Sequence, residues 1–282
     1  MDTSILVPNY MRSRLFSITN DEEIRTKFIR EYYAGNDTWN PDIIADEKML
    51  QIAVNLGYYF CNSYVKNELL SQQPDFSDKL VRLGTKYGGW HVFPQMLSEE
   101  SIVYSVGAGM DISFDLEVIE KFNCCVYSID PTPQAMEYVF KIAQENKKLL
   151  FYPYGLFSRD TILRFYRSRS ANEGSLSATN LRQTDWFTEA PVRRLRTLMK
   201  QFKHDHIDIL KLDIEGAEYD VIEDIFFERL DVRQISVEFD QPVPPWRTER
   251  CIKNILFNGY TLVQIDSLNL MFVRNDILAK YL

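Results

Sequence analysis

The chain has 282 residues and a formal charge of −8, from 32 Lys plus Arg against 40 Asp plus Glu; 45% of its residues are apolar, and it holds only 11 Gly and 11 Pro. These proportions exclude collagen-like, low-complexity and wholly disordered classes, and the length predicts one α/β core with an appendage. The acidic balance disfavours polyanionic partners, so neither nucleic acid nor an anionic membrane surface is expected.

The opening residues, MDTSILVPNYMRSRLF, lack a continuous apolar region with a small-residue cleavage site, and nowhere does an apolar run reach membrane-spanning length. No signal peptide and no membrane span is predicted. Cys61, Cys124, Cys125 and Cys251 form no C-x-x-C pair, which fits a reducing, cytoplasmic setting. From Asp21 to about Gln73 the pattern is helical: EEIRTKFIREYY, a loop holding Gly35-Asn36-Asp37 and Trp39-Asn40-Pro41, then DEKMLQIAVNLGYYFCNSYVKNELL. Met49, Ala53, Leu56 and Phe60 recur at helical spacing as one apolar stripe. Tyr58, Tyr59, Phe60 and Tyr64 are expected to pack this appendage, residues 1–86, onto the core rather than to line a substrate site.

After Lys86-Tyr87-Gly88-Gly89-Trp90 the period changes, and strand-like runs alternate with helix-like ones, the mark of βαβ units and a parallel sheet. Strands are expected at 102–106, 124–129, 149–152, 207–212, 234–239, 261–265 and 270–273, and helices at 113–122, 133–146, 216–228 and 248–257. Between the third and fourth strands, ILRFYRS followed by SRSANEGSLSATNLRQTD is rich in Ser, Asn and Gly and reads as an exposed loop.

The strand IVYSV runs into Gly107-Ala108-Gly109-Met110-Asp111, with Ser113 as the expected N-cap of the next helix. The glycines permit a tight turn and close approach of a ligand to the backbone. A second strand, CCVYSID, ends in Asp130, at an interval where an acid commonly accepts hydrogen bonds from ribose hydroxyls, so an adenosine-bearing cofactor is implied. Asp111, Asp115 and Glu117 cluster at the helix start and would repel a pyrophosphate, whereas the sulfonium and ammonium of S-adenosylmethionine would be attracted. Asp115 and Glu117 would equally serve the helix dipole, at about 0.3–1 kcal/mol each. Thr132 is expected to cap the helix that Pro133 starts.

HIDILKLDIEGAEYDVIEDIF is a strand entering a helix, and strand alternation puts Ile209, Lys211 and Asp213 on one face. Asp213 and Glu215 fall at the strand's carboxyl end, where such sheets bind ligands, and Glu238 and Asp240 end the next strand at the same rim. From these groups a general base for a hydroxyl, or an oxygen-ligand site for a divalent metal, could be built, although no metal is predicted. Glu218 reads mainly as a helix-start acid. His204-Asp205-His206 precedes its strand, at the opposite end of the sheet, and is not expected to bind metal; His91 could reach the cofactor rim or be structural. No G-x-S-x-G elbow and no P-loop is present, so nucleophilic hydrolysis and phosphoryl transfer lack support.

VYSVGAGMDISFD, VYSIDPTP, YPYGLFSRD and, most specifically, DILKLDIEGAEYDVIEDI resemble the FkbM-type S-adenosylmethionine-dependent methyltransferases in matching order, over about residues 87–273. The resemblance implies an α/β fold with the seven-stranded Rossmann-like sheet of class I methyltransferases. It also implies a cofactor held by Gly107, Gly109 and Asp130, with Gly155 and Leu156 near the adenine; Ala108 and Asp111, in the same turn, are assigned to the cofactor with them. It implies O-methylation of a sugar or small natural product, a small-molecule or glycan acceptor, and a base or orienting group at Asp213 or Glu215, to which the shared rim adds Glu238. The sequence departs from the family pattern at Asp240, where many relatives carry histidine, which moves the expected base to the carboxylates. The appendage and the loop 170–185 are expected to close over the acceptor. The rival readings are a cofactor-binding protein without turnover and an NAD-dependent oxidoreductase; the acidic glycine turn speaks against the second.

Overall fold

Strands that are apolar on both faces belong in the middle of a three-layer stack. In the computed structural model of the protein, which describes residues 9–32, 47–167, 176–178, 180 and 185–281, seven strands form the central sheet. Ahead of it come α1 (Asn9–Ile18), α2 (Glu22–Tyr32) and α3 (Glu47–Tyr59), the last continuing into a π-helical segment, Phe60–Leu69. The predicted stripe of Met49, Ala53, Leu56 and Phe60 is fully buried. Met11, Leu15 and Phe28 complete its cluster with Trp246 packed against it, while Phe60 and Val65 join the central core. Phe60 stacks on Tyr64 with centroids 5.3 Å apart, as packing aromatics should, but Tyr58 is exposed. The loop with Gly35 and Trp39 lies outside the described residues.

A short antiparallel hairpin, β1 (Val81–Leu83) and β2 (Trp90–Val92), crosses the 86/87 division. Strands of three residues are too short for alternation to reveal them. The core then runs β3 (Ile102–Val106), α4 (Ser113–Phe122), β4 (Cys125–Ile129), α5 (Pro133–Glu145), β5 (Leu149–Tyr152), β6 (Gly155–Leu156), β7 (Thr161–Arg167), β8 (Leu176–Ser177), β9 (Phe187–Arg193) and α6 (Leu195–Phe202). It closes with β10 (His206–Leu212), α7 (Glu218–Phe227), β11 (Asp231–Glu238), α8 (Pro245–Phe257), β12 (Tyr260–Asp266), β13 (Asn269–Arg274) and α9 (Asn275–Leu278).

The central sheet has the order β12-β13-β11-β10-β3-β4-β5, with β13 antiparallel to both of its neighbours and the other pairs parallel. Chain progression reverses between β3 and β10, and a crevice opens at the carboxyl ends of such a pair. Leu210 and Leu212 pack on α6, α7 and α8 on one face, while Ile209 and Val103 face α4 and α5 on the other. Burying each of these aliphatic side chains contributes about 1.5–3 kcal/mol.

Several elements differ from expectation. ILRFYR is not loop but β7, part of a second, four-stranded sheet in the order β6-β9-β7-β8. Phe165, Leu176, Ala190 and Val192 give that sheet its own small core. The rest of the Ser/Asn/Gly-rich stretch, residues 168–175, 179 and 181–184, lies outside the described residues. Helix α6 was also not anticipated, although Leu195, Leu198 and Met199 bury a helical face. Helix α8 begins three residues before the expected start, at Pro245, where a fixed φ and a missing N–H suit the first turn.

The histidine pair lies, as predicted, at the amino end of the sheet: His204 Nδ1 is 2.9 Å from the Tyr104 hydroxyl, and His206 opens β10. There too Asp208 accepts from the Ile102 N–H at 2.8 Å and pairs with Arg233, tying three strands together. His91 stays off the cofactor rim, with Nδ1 3.9 Å from Asp266. All four cysteines are free, and no helix of the described residues is long and apolar enough to cross a membrane.

Candidate active site

The turn after β3 is built from two glycines with left-handed backbones, Gly107 at φ +82° and Gly109 at φ +54°. They serve different purposes. A Cβ on Gly107 would lie 1.6 Å from the carbonyl oxygen of Asp213, so the chain's own backbone, rather than a ligand, demands this glycine. A Cβ on Gly109 would meet nothing within 4 Å, which leaves that side of the turn open to a ligand. Asp130, at the end of β4, accepts from the Gly109 N–H with Oδ2 at 2.9 Å and from the Thr132 N–H with Oδ1 at 2.7 Å. Each oxygen keeps a lone pair for a further donor. Thr132 caps α5 as expected, accepting from the Ala135 N–H.

The acids after the turn divide. Asp111 accepts from the Ser113 N–H at 2.9 Å and from the Thr85 hydroxyl at 2.6 Å. It is therefore Asp111, not Ser113, that satisfies the start of α4; the Ser113 hydroxyl accepts from the Thr85 N–H instead. Partial burial works upward on Asp111, but the bonds from Ser113, Thr85 and Gly88 hold its carboxyl below the usual range. Asp115 is buried beside Ser105 and Ser128, and burial raises it. Glu117 accepts from the Gly84 N–H at 2.5 Å. Of the three acids only Asp111 borders the crevice, which narrows the charge argument to that residue and the rim carboxylates.

On β10, Lys211 and Asp213 point together, as strand alternation requires. Lys211 Nζ lies 3.4 Å from Asp213 Oδ2, donates to the Gly107 carbonyl at 2.7 Å and stands 5.4 Å from the centre of the Trp90 ring. The chain then turns through Glu215 at φ +56° and Gly216 at φ +111°. A left-handed glutamate costs about 1–2 kcal/mol, and such strain gathers at functional sites. Glu218, wholly buried, holds this turn by accepting from the N–H groups of Ile214 at 2.8 Å and Gly216 at 2.9 Å. Because two backbone positions are left-handed, α7 starts at Glu218 rather than at 216.

Glu238 and Asp240 meet this turn from β11. Glu238 neighbours Asp213, and Asp240 neighbours Glu215, so that Asp213 raises the affinity of Glu238 for protons and Asp240 that of Glu215. Gln241 Nε2 donates to Glu215 at 2.7 Å and to Asp240 at 3.0 Å. Burial first, then Asp240, Asp213 and Glu218, push Glu215 far above the usual carboxylate range. Burial, Asp213 and Asp240 do the same to Glu238, and burial with Asp213 raises Asp240. Burial and Asp240 push Glu218 up to about 8, against the pull of backbone N–H donors that include Ile214. Among the described residues, no group of three or more His, Cys, Asp or Glu side chains is arranged to hold a metal ion.

These parts enclose one cavity of about 780 Å³, large enough for a cofactor and a small acceptor together. The seven positions assigned from the sequence to the cofactor and the three assigned to chemistry all line it. Gly155 is there for packing: a Cβ would fall 2.7 Å from Val192. Tyr87, Trp90, Phe165, Leu176 and Asn269 also line the cavity and were not anticipated. No spacing in the sequence links them to the turn. Lys211 was placed beside Asp213 by alternation but given no task. Over the cavity, the Ser177 hydroxyl donates to the Glu215 carbonyl at 2.8 Å and the Ala178 N–H to the same oxygen at 3.3 Å, which ties the small sheet to the carboxylate turn.

A family model, the methyltransferase FkbM domain, matches residues 105–260, more than half of the chain. The chain belongs to the FkbM methyltransferase family. The family is named for methyl transfer, and the chain carries the seven-stranded sheet described above. No curated protein matches this FkbM-family chain by sequence. Among solved structures it is similar to the fibrillarin pre-rRNA processing protein of Methanococcus jannaschii, with 12% identity, 62% of this chain and 66% of that one covered and a TM-score of 0.38. It is similar to the fibrillarin of Aeropyrum pernix in complex with S-adenosyl-L-methionine, at 11%, 63%, 66% and 0.35. It is also similar to precorrin-6y C5,15-methyltransferase of Geobacter metallireducens, at 11%, 62%, 81% and 0.35. The chain thus spans just under two thirds of the length of each fibrillarin.

The FkbM-family cavity fits S-adenosylmethionine on its own features. The turn is open at Gly109, Asp130 keeps free acceptor capacity for ribose hydroxyls, and the lining acids suit a cationic cofactor rather than a pyrophosphate.

Proposed function

We propose that this FkbM-family methyltransferase methylates a hydroxyl oxygen of a sugar or other small natural product. Gly107, Ala108, Gly109, Asp111, Asp130, Gly155 and Leu156 hold the cofactor, and Asp213, Glu215 and Glu238 orient and deprotonate the acceptor. The observation that carries the reading is the carboxylate group of Asp213, Glu215, Glu238 and Asp240 sharing one cavity with the glycine turn. S-Adenosylmethionine, when bound, supplies a methyl group on a sulfonium.

A hydroxyl is a poor nucleophile while it keeps its proton, and a buried carboxylate with a raised pKa is suited to take that proton near neutral pH. Asp213 is the member of the group that lies beside Lys211, and it faces the acceptor oxygen as base. Glu238, raised by burial and by Asp213, holds its proton and offers it to the acceptor as a donor, and Glu215 with Asp240 orients neighbouring hydroxyls. Trp90 and Tyr87 offer flat aromatic faces among hydrogen-bond acceptors, which suits a polyhydroxyl ring. With six acidic side chains and one lysine in its lining, the cavity offers few cationic partners to an acceptor with its own phosphate or carboxylate beside the reacting hydroxyl. Holding the two reactants in line supplies several kcal/mol of the rate enhancement.

The test is a titration with S-adenosylmethionine followed by a screen of hydroxylated acceptors with a labelled methyl group, using the unaltered protein and Asp213→Asn. The expected result is unchanged cofactor binding and a loss of transfer of roughly 100-fold or more in the variant. Equal transfer by both proteins would remove Asp213 from the chemistry.

A further inference from the structure

The amino-acid tail of S-adenosylmethionine ends in an ammonium and a carboxylate. The ammonium is welcome in a cavity lined by acids; the carboxylate is not, and its placement has to be decided by a cation. Among the described residues that line the cavity, Lys211 is the only lysine or arginine. We propose, on the cofactor reading above, that Lys211 is the counter-ion for the tail carboxylate of S-adenosylmethionine.

The geometry supports this in three ways. First, Lys211 is 5% exposed, and a buried ammonium requires strong partners. Its contacts are the Gly107 carbonyl at 2.7 Å, a long 3.4 Å ion pair with Asp213 and the Trp90 ring, which leaves one of its three protons for a further acceptor. Second, the nearby Asp115 lies outside the cavity lining beside Ser105 and Ser128, and burial raises its carboxyl, which weakens its hold on the lysine. Third, the glycine turn has a polarity. Its Gly109 amide is bound by Asp130, the ribose acid, while its Gly107 carbonyl is bound by Lys211. A cofactor whose ribose lies at Asp130 therefore has its other end directed along the turn toward Lys211.

The experiment needs no acceptor. S-Adenosylhomocysteine and its analogue lacking the carboxylate are titrated calorimetrically into the full chain and into Lys211→Met and Lys211→Arg, with melting curves to verify that each variant is folded. The unaltered protein is expected to bind S-adenosylhomocysteine roughly 10- to 100-fold more tightly than the analogue, the range of one hydrogen bond between charged groups. Lys211→Met should bind the two ligands alike, and Lys211→Arg should keep part of the preference. Equal binding of both ligands by the unaltered protein overturns the proposal whatever the variants do, and so does a Lys211→Met protein that keeps the full preference. If the unaltered protein binds neither ligand, nor S-adenosylmethionine, the cofactor reading itself falls and the proposal with it.

Discussion

The carbonyl oxygen of Asp213 occupies the space that a side chain on Gly107 would need, 1.6 Å from where its Cβ would lie. The cofactor turn and the carboxylate turn are thus in backbone contact, reinforced by the bond from the Asp213 N–H to the Val106 carbonyl. Gly107→Ala must push β3 and β10 apart at their carboxyl ends and is expected to cost about 3 kcal/mol or more, with loss of cofactor binding. Gly109→Ala meets no protein atom and should cost only about 1–2 kcal/mol for its left-handed backbone, while still weakening the cofactor. Thermal unfolding with calorimetric titration separates the two; equal stability losses would contradict the assignment.

Asp130 orders the backbone of both flanking turns, and on the proposed function its remaining lone pairs accept from ribose hydroxyls. Asp130→Ala should lower affinity for S-adenosylhomocysteine by roughly 10- to 100-fold, because a charge-assisted acceptor is lost and the Gly109 and Thr132 amides lose their partner. Asp130→Asn should do little better, since the amide nitrogen cannot accept from a backbone N–H. Affinity unchanged in both would place the ribose elsewhere.

The raised carboxylates predict a stability change with a definite sign. Glu215 and Glu238 bind protons more tightly in the folded protein than their ordinary value of 4.5 allows. The stability linked to them is complete below that value and is lost as pH rises through their folded values. Glu215→Gln and Glu238→Gln should therefore melt at a higher temperature than the unaltered protein at about pH 9 and lose that advantage at about pH 4, while methyl transfer falls. Melting curves across this range check it; a stability gain confined to acid would reverse the sign and refute the clustering.

The link from Ser177 to the Glu215 carbonyl connects the small sheet to the strained turn. Ser177→Ala should raise the acceptor KM severalfold and leave S-adenosylhomocysteine affinity unchanged, because the bond lies on the carboxylate side of the cavity. A matched loss of both affinities would show that the small sheet positions the cofactor instead.

Much of the site was legible before folding was considered. Period-two alternation placed Lys211 with Asp213, and the rule that ligands bind beyond strand carboxyl ends gathered Gly107, Asp130, Glu215 and Glu238 at one rim. The same local reasoning failed where neighbours distant in sequence decide the outcome. ILRFYR reads as loop because its polar context masks four residues of alternation, and it becomes β7 only through pairing with β9. Ser113 reads as a cap, but Asp111 takes that place once Thr85, in the turn between β1 and β2, completes its bonding.

By itself, then, the order of residues determined the sheet, the crevice and the types of group at its edge, because hydrophobic period and turn chemistry act over a few residues at a time. What each group does there was left to tertiary structure. In the sequence Asp115 and Glu117 could serve either the cofactor or the helix dipole, and packing buries the first against serines and turns the second toward Gly84, away from the cavity. Trp90 and Lys211 are 121 positions apart and meet only because the hairpin β1–β2 folds against the central sheet. Charge and shape at a site are sums over neighbours in space, and strand pairing and helix packing alone decide which neighbours those are.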